Sequence, residues 1–152
     1  MRIIPSAYDT GRLDGVRYPK EPHTMRQTVS VTGVLIGLAG ASAVLLGAFG
    51  AHALRGVLDA RGSELWHTAV SYHFWHALAL ALTGVVAQGR ARRVAIVAFL
   101  LGIVVFCGSL YVLALGAPRW VGAITPLGGV AFMVGWMALG TALGSIAQRD
   151  AR

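Results

Sequence analysis

Gly47-Ala48-Phe49-Gly50-Ala51-His52 closes a run of 28 residues, 27–54, that carries no charged side chain. A spanning helix needs about 20 mainly apolar residues at about 1.5 Å rise each, so this run is long enough to cross a bilayer. Its final hexapeptide puts small residues where two helices can approach closely, and a lone imidazole where such a span would meet the membrane edge. Three more uncharged windows follow, 65–89, 94–118 and 120–148, of 25, 25 and 29 residues. Together the four windows predict an all-α fold, an integral membrane four-helix bundle. The expected helices cover approximately 29–54, 66–88, 94–115 and 126–146.

Composition agrees. The chain is 56% hydrophobic and 12% charged, against about 25% charged for ordinary soluble domains, and its mean hydropathy is +0.66. A soluble bundle would need a polar face on each helix, and no window offers one. In a soluble protein the net charge of +7 would suggest nucleic acid; here it reads as membrane topology, and no nucleic-acid partner is expected. The single cysteine, Cys107, lies inside the third window and reads as a small core residue.

Residues 1–24 differ from the rest. They carry Pro5, Pro19 and Pro22, three acids and four bases, with no apolar run. That is neither a cleavable signal peptide nor a folded domain. Met25 and Arg26 follow at once. Two expectations stand for this segment: a disordered N-terminal tail, or a start placed too far upstream, with Met25 the true first residue. The four-helix domain then covers 25–152.

Basic residues set the expected orientation. The N-terminal segment, the Arg90–Arg93 connection and the C-terminal tail would share one side and carry ten of the thirteen; Arg55, Arg61 and Arg119 fall on the other. Without residues 1–24 the count is six against three. Both termini are expected in the cytoplasm, which makes the chain a multi-pass protein of a bacterial inner membrane.

Small residues recur at four-residue spacing in the first helix, as Gly33, Gly37 and Ala41 and again as Ala43, Gly47 and Ala51. Such stripes are contact surfaces in a bilayer, where lipid gives no hydrophobic drive between helices. Gly47, Gly50, Gly108, Gly128 and Gly129 are the glycines expected at helix contacts. Gly116 is the expected cap of the third helix, with Pro118 preventing its continuation. Thr125-Pro126 reads as an N-cap followed by proline at the first helical position. Trp120 suits an interfacial anchor.

Polar side chains gather toward the outer half. Thr68, Tyr72 and His76 recur every four residues and share a helix face; His73 lies about 60° to the side, on the 100° per residue of an α-helix, and His67 on the opposite face. His52 and Thr125 fall at the outer ends of the first and fourth helices, and Ser109 and Tyr111 in the outer half of the third. The seven residues His52, Thr68, Tyr72, His76, Ser109, Tyr111 and Thr125 form a candidate polar pocket. One reading has these groups satisfy one another, tying helices together at about 0.6 kcal/mol per hydrogen bond. The other has them line a small pocket open to the outside, since ionisable residues within a membrane are functional candidates.

Specific chemistries find less support. Facing histidines could ligate a b-type haem, but His52 lies well above His76 in depth and His67 faces away. A zinc site lacks a third ligand at metal spacing. The acids Asp59 and Glu64 lie outside the apolar windows, and there is no phosphate loop. No catalytic, cofactor-binding or metal-binding residue is therefore assigned, and no enzyme is expected. A channel or transporter would need an oligomer. The expected surroundings are the lipid bilayer and either a second copy or another membrane protein.

Four motifs occur in order: Gly47-Ala48-Phe49-Gly50-Ala51-His52; Trp66-x-Thr68-xxx-Tyr72-xxx-His76-x-Leu78-Ala79; Phe106-x-Gly108-Ser109-Leu110-Tyr111-x-Leu113-Ala114-Leu115; and Thr125-Pro126-x-Gly128-Gly129 with Gly135-Trp136. In this the chain resembles the YgdD-like family of small membrane proteins (domain of unknown function 423), to which transmembrane protein 256 is related. The resemblance covers about residues 29–147. It implies a four-helix inner-membrane protein without an assigned molecular activity. The implied role is that of an accessory or structural membrane protein; the alternative is a small-molecule, lipid or quinone binder or transporter using the outer-side pocket. His67 and His73 do not belong to the family's motifs.

Overall fold

The computed structural model describes residues 30–150, and both expectations for residues 1–24 lie outside them. Helix α1 spans Val31–His52, α2 Ala60–Val86, α3 Gly89–Gly102, α4 Gly108–Ala114 and α5 Thr125–Asp150. A π-helical turn, Ile103–Cys107, joins α3 to α4 without a break, and a 3₁₀ turn, Arg119–Ala123, precedes α5. Among the described residues there is no strand. Four spans are long and apolar enough to cross a membrane: Val31–His52, Ala60–Val86, Gly89–Ala114 and Arg119–Ser145.

The boundaries depart from the uncharged windows for a physical reason. A window ends where charge begins, but a helix continues until its backbone is capped. Helix α2 starts at Ala60, not 66, because the Asp59 carboxylate accepts the Gly62 N–H at 2.6 Å. Arg61 and Glu64 therefore ride on a helical turn and not on a loop. Helix α3 likewise starts at Gly89, not 94, and takes Arg90, Arg92 and Arg93 into its first turns.

Gly116 caps α4 as expected. Its φ is +93°, the Gly116 N–H reaches the Leu113 carbonyl and the Ala117 N–H reaches Val112, each at 3.0 Å. This pair of bonds is the Schellman arrangement, and the left-handed φ is the reason for a glycine there. Thr125 is a correction: it is the first residue of α5, not a residue preceding it, and its hydroxyl meets Ser109.

Helix α2 is the centre of the bundle. It packs against α1, α3, the π turn, α4 and α5, while α3 and α5 form the other extensive interface. Helix α1 is peripheral: it leans on α2, and only Ala39 and Ala43 of it are buried. The core holds Trp66, Leu80, Phe99, Leu110, Phe132 and Leu139 among small alanines.

The glycines expected at contacts divide. A Cβ on Gly50 would fall on the Trp66 indole, one on Gly47 would lie 3.3 Å from Val70 Cγ1, and one on Gly128 would lie 2.8 Å from Phe106 Cα. Gly129 is looser, 3.8 Å from the Phe106 ring, and Gly108 meets nothing within 4 Å. The Gly33–Gly37 stripe also meets nothing within 4 Å. Gly135, against Phe99, and Gly102, against Phe132, are contacts that the spacing rules did not single out.

Candidate functional site

Two histidines sit near the middle of α2. At about 1.5 Å per residue, His73 is halfway along the helix, and His76 is one turn further. Both are buried, at 4% and 7% exposure. Residues three apart lie side by side on a helix surface, so the two rings serve different neighbours: His73 faces α1 and α4, His76 faces α5.

The hydrogen bonds of His76 define its protonation. Nδ1 lies 2.7 Å from the Tyr72 carbonyl oxygen, which can only accept. Nε2 lies 3.3 Å from Trp136 Nε1, which can only donate. The ring is therefore the neutral Nδ1–H tautomer, with both nitrogens occupied. It also stacks on Phe132 at 3.4 Å between centroids and on Tyr72 at 5.8 Å. Phe106 extends this aromatic group from the π turn, 4.7 Å from Tyr72.

His73 is bound on the other side. The Ser42 hydroxyl donates to the Leu38 carbonyl at 2.7 Å, so toward His73 Nε2, at 3.3 Å, it accepts. Nε2 then carries the proton, and Nδ1 accepts from the Tyr111 hydroxyl at 3.4 Å. Three helices meet at this ring. Above it, Trp66 meets Tyr111 at a tilt of 59°, 4.8 Å between centroids, and donates its indole N–H to the Leu46 carbonyl at 3.0 Å. The hexapeptide's role follows: Gly50 leaves the space on α1 in which the indole lies.

The seven candidate residues thus fall into separate places. His76 and Tyr72 belong to the aromatic group against α5. Tyr111 belongs to the His73 group. Ser109 and Thr125 pair with each other, oxygen to oxygen at 2.7 Å. Thr68 is half-buried, and His52 is exposed at the end of α1. His73, Ser42, Trp66 and Trp136 were not among the candidates, although they supply the bonds. The signal for His73 was present in its position beside His76; the stripe drawn through Thr68, Tyr72 and His76 was one ridge wide, whereas a buried central helix presents several.

The open spaces lie elsewhere. A cavity of about 540 Å³ at the α2 start and α4 end is walled by Leu58, Leu65 and Leu113, with Asp59, Arg61 and Arg119 at its polar edge. A groove of about 220 Å³ runs beside Gly47, Gly50 and Trp66. A third, of about 460 Å³, lies between α3 and α5. Among the described residues, no three His, Cys, Asp or Glu side chains come together.

The profile of the family described as "Protein of unknown function (DUF423)" matches residues 46–129, a stretch that holds the whole hexapeptide, His73 and His76, the π turn and Gly128. A UPF0382 membrane protein of Staphylococcus saprophyticus is 45% identical over 108 residues, covering 70% of this chain and 90% of the relative. The UPF0382 membrane protein YwdK of Bacillus subtilis is 44% identical over 102 residues, covering 64% and 82%. A UPF0382 membrane protein of Haemophilus influenzae is 36% identical over 107 residues, covering 69% and 86%. No solved structure matches. With the profile spanning more than half its length and near-complete relatives named as membrane proteins, the chain belongs to the DUF423 family.

Proposed function

We propose that this membrane protein is a non-enzymatic accessory or structural component of the bacterial inner membrane, with both termini in the cytoplasm. The observation that carries the reading is the His76 ring, whose two nitrogens are both taken up inside the bundle, by the Tyr72 carbonyl and the Trp136 indole. An imidazole in that state has no lone pair for a metal and no proton for a substrate. His73 is engaged in the same way by Ser42 and Tyr111. The polar groups of the spans act as ties between helices, which is what a hydrocarbon surrounding demands of them.

A second copy or another membrane protein is the partner this role calls for. The exposed small-residue face of α1, with Gly33, Gly37 and Ala41, supports it. The cytoplasmic termini rest on the arginines of the Arg90–Arg93 turn.

Replacing His76 with alanine tests the role. A tie between helices predicts a protein that unfolds at lower temperature and accumulates less in the membrane. Normal stability, with loss of thermal protection by a membrane lipid or quinone extract that protects the parent, would overturn it in favour of a binder. A C-terminal alkaline phosphatase fusion that is active outside the cytoplasm would overturn the orientation.

A further inference from the structure

Helix α2 buries one arc and leaves the opposite one bare. Its buried residues, from Gly62 and Trp66 to Leu80 and Thr83, turn toward the other helices of the bundle. At about 100° per residue, Arg61, Thr68 and Trp75 fall in one column of the opposite arc, and Glu64, Ser71 and Leu78 in the next. Steps of three and four residues alternate between the columns, as in the seam of two paired helices. Every side chain in them is exposed or half-buried. Trp75, at 63% exposure, is the reverse of Trp66 at 6%.

What stands on this arc does not suit lipid. Ser42, Thr83, Thr141 and Ser145 each bond a carbonyl one turn back in their own helix. The Thr68 and Ser71 hydroxyls make no such bond. At the edge of the arc the Tyr72 ring stacks on His76 and Phe106, but its hydroxyl has no partner among the described residues. Ser71 lies about 10 Å deeper in the span than Glu64, where acyl chains offer neither donor nor acceptor. Polar side chains at such depth face protein.

We propose that this arc of α2 is a homodimer seam, on which a second copy packs its own α2 in parallel. Every copy crosses the bilayer the same way up, so the dyad stands along the membrane normal and like residues lie at one depth. A side chain on one side of the seam then meets the residue that the second copy carries on the other side. Arg61 and Glu64 are such a pair, and the dyad sets each beside the opposite charge of the second copy. His67 and Tyr72 flank the seam in the same way, five residues apart, as do the flanking positions that reach each other in paired parallel helices. The imidazole supplies an acceptor for the Tyr72 hydroxyl. Thr68 and Ser71 lie on the seam itself, where hydroxyls bond across helices. A lipid tail would satisfy none of these groups, and an unrelated protein would have to reproduce both pairs. Self-complementarity in charge and in hydrogen bonding therefore singles out a second copy. The seam names the surface for the second copy that the accessory role calls for, and rests on that reading only for the need of a partner.

Disulfide cross-linking of the full chain in its own membranes reads the seam. Cys107 is buried, so the parent chain is expected to run as a monomer on a non-reducing gel. Thr68→Cys and Ser71→Cys, one on each column, are expected to give a covalent dimer. Leu45→Cys of α1 and Val130→Cys of α5, on other exposed faces, are expected to give none, and so is Gly37→Cys on the α1 small-residue stripe. Native mass spectrometry of the chain released from its membranes supplies the second readout. Arg61→Glu sets acid against acid and is expected to lower the dimer fraction several-fold, and adding Glu64→Arg is expected to restore it. Tyr72→Phe keeps the stacked ring and is expected to lower the fraction as well. Absence of the dimer in Thr68→Cys and Ser71→Cys, equal cross-linking on every face, a disulfide to a different protein alone, or a charge reversal that the second reversal does not rescue would overturn the seam. Cross-linking at residue 37 with none at residue 68 would overturn it and leave the accessory role standing. Failure of that role in the His76→Ala test would leave the seam standing.

Discussion

The Trp66 indole lies across Gly50 and donates its N–H to the Leu46 carbonyl at 3.0 Å, so the last turns of α1 are held by one side chain of α2. Phe49 flanks the same ring at 6.1 Å between centroids, and Tyr111 closes its other side. Helix α1 has little else, because its buried side chains are two alanines. A small-residue motif thus acts through the large residue it admits.

Gly50→Ala is therefore expected to destabilise the protein by about 1–3 kcal/mol, the range for overpacking a fitted contact. Gly40→Ala is the control, since a Cβ there meets nothing within 4 Å and alanine favours a helix over glycine by about 0.5–1 kcal/mol. Unfolding of the two variants in detergent by SDS titration checks the pair, with Gly50→Ala falling below the parent and Gly40→Ala at or above it. Equal effects would separate the motif from the Trp66 seat.

Gly128→Ala is expected to be more damaging than Gly50→Ala. The added carbon would press on the Phe106 backbone, 2.8 Å from its Cα, and a backbone inside the π turn cannot rotate away as a side chain can. Gly108→Ala, at the start of α4, where a Cβ meets nothing within 4 Å, should be tolerated. Protein accumulation in the membrane, measured against a constant co-expressed marker, orders the two.

These glycines mark how far the sequence could be read. The four spans, the Gly116 cap and the Gly50 contact follow from charge-free length, a turn residue before proline, and small spacing. The π turn does not: Ile103–Cys107 is an apolar run like its neighbours, and nothing in its residue types distinguishes an i→i+5 bond from an i→i+4 bond. Yet that extra residue turns Ser109 and Tyr111 by about 100° relative to a straight α-helix, toward Thr125 and His73 respectively. His52 stands apart for another reason: it ends the unbroken helix α1, and there its side chain is exposed. Helix ends were misread for a different reason, because Asp59 extends α2 into charged sequence that a membrane window excludes.

A double-mutant cycle on His76 and Trp136 is expected to give a coupling of about 0.6 kcal/mol, and no more than about 1.7, as for hydrogen bonds between spanning helices. Trp136→Phe alone keeps an aromatic ring toward Phe99, which the indole meets edge-on at 5.6 Å, and removes the donor together with part of the indole's volume. His76→Phe alone leaves the indole N–H without an acceptor. The double variant should recover part of the loss, since neither unpaired group remains. Additive losses would mean that the 3.3 Å contact contributes nothing.

His52 and His73 should respond in opposite order to their prominence in the sequence. His52 ends the hexapeptide but is exposed, while His73 joins α1, α2 and α4 through Ser42 and Tyr111. His52→Ala is expected to leave the unfolding midpoint unchanged within about 0.5 kcal/mol. His73→Ala removes a ring buried to 4% exposure and leaves the Tyr111 hydroxyl without its acceptor, a loss of about 2–4 kcal/mol from the cavity and the unpaired group together. His73→Phe separates the two contributions, because it refills the space but restores neither bond. Recovery of most of the stability in that variant would assign the effect to packing; recovery of little would assign it to the Ser42–His73–Tyr111 chain. Should His52→Ala be the more damaging substitution, the end of the hexapeptide would have to act outside the bundle, on a partner that the isolated chain does not contain.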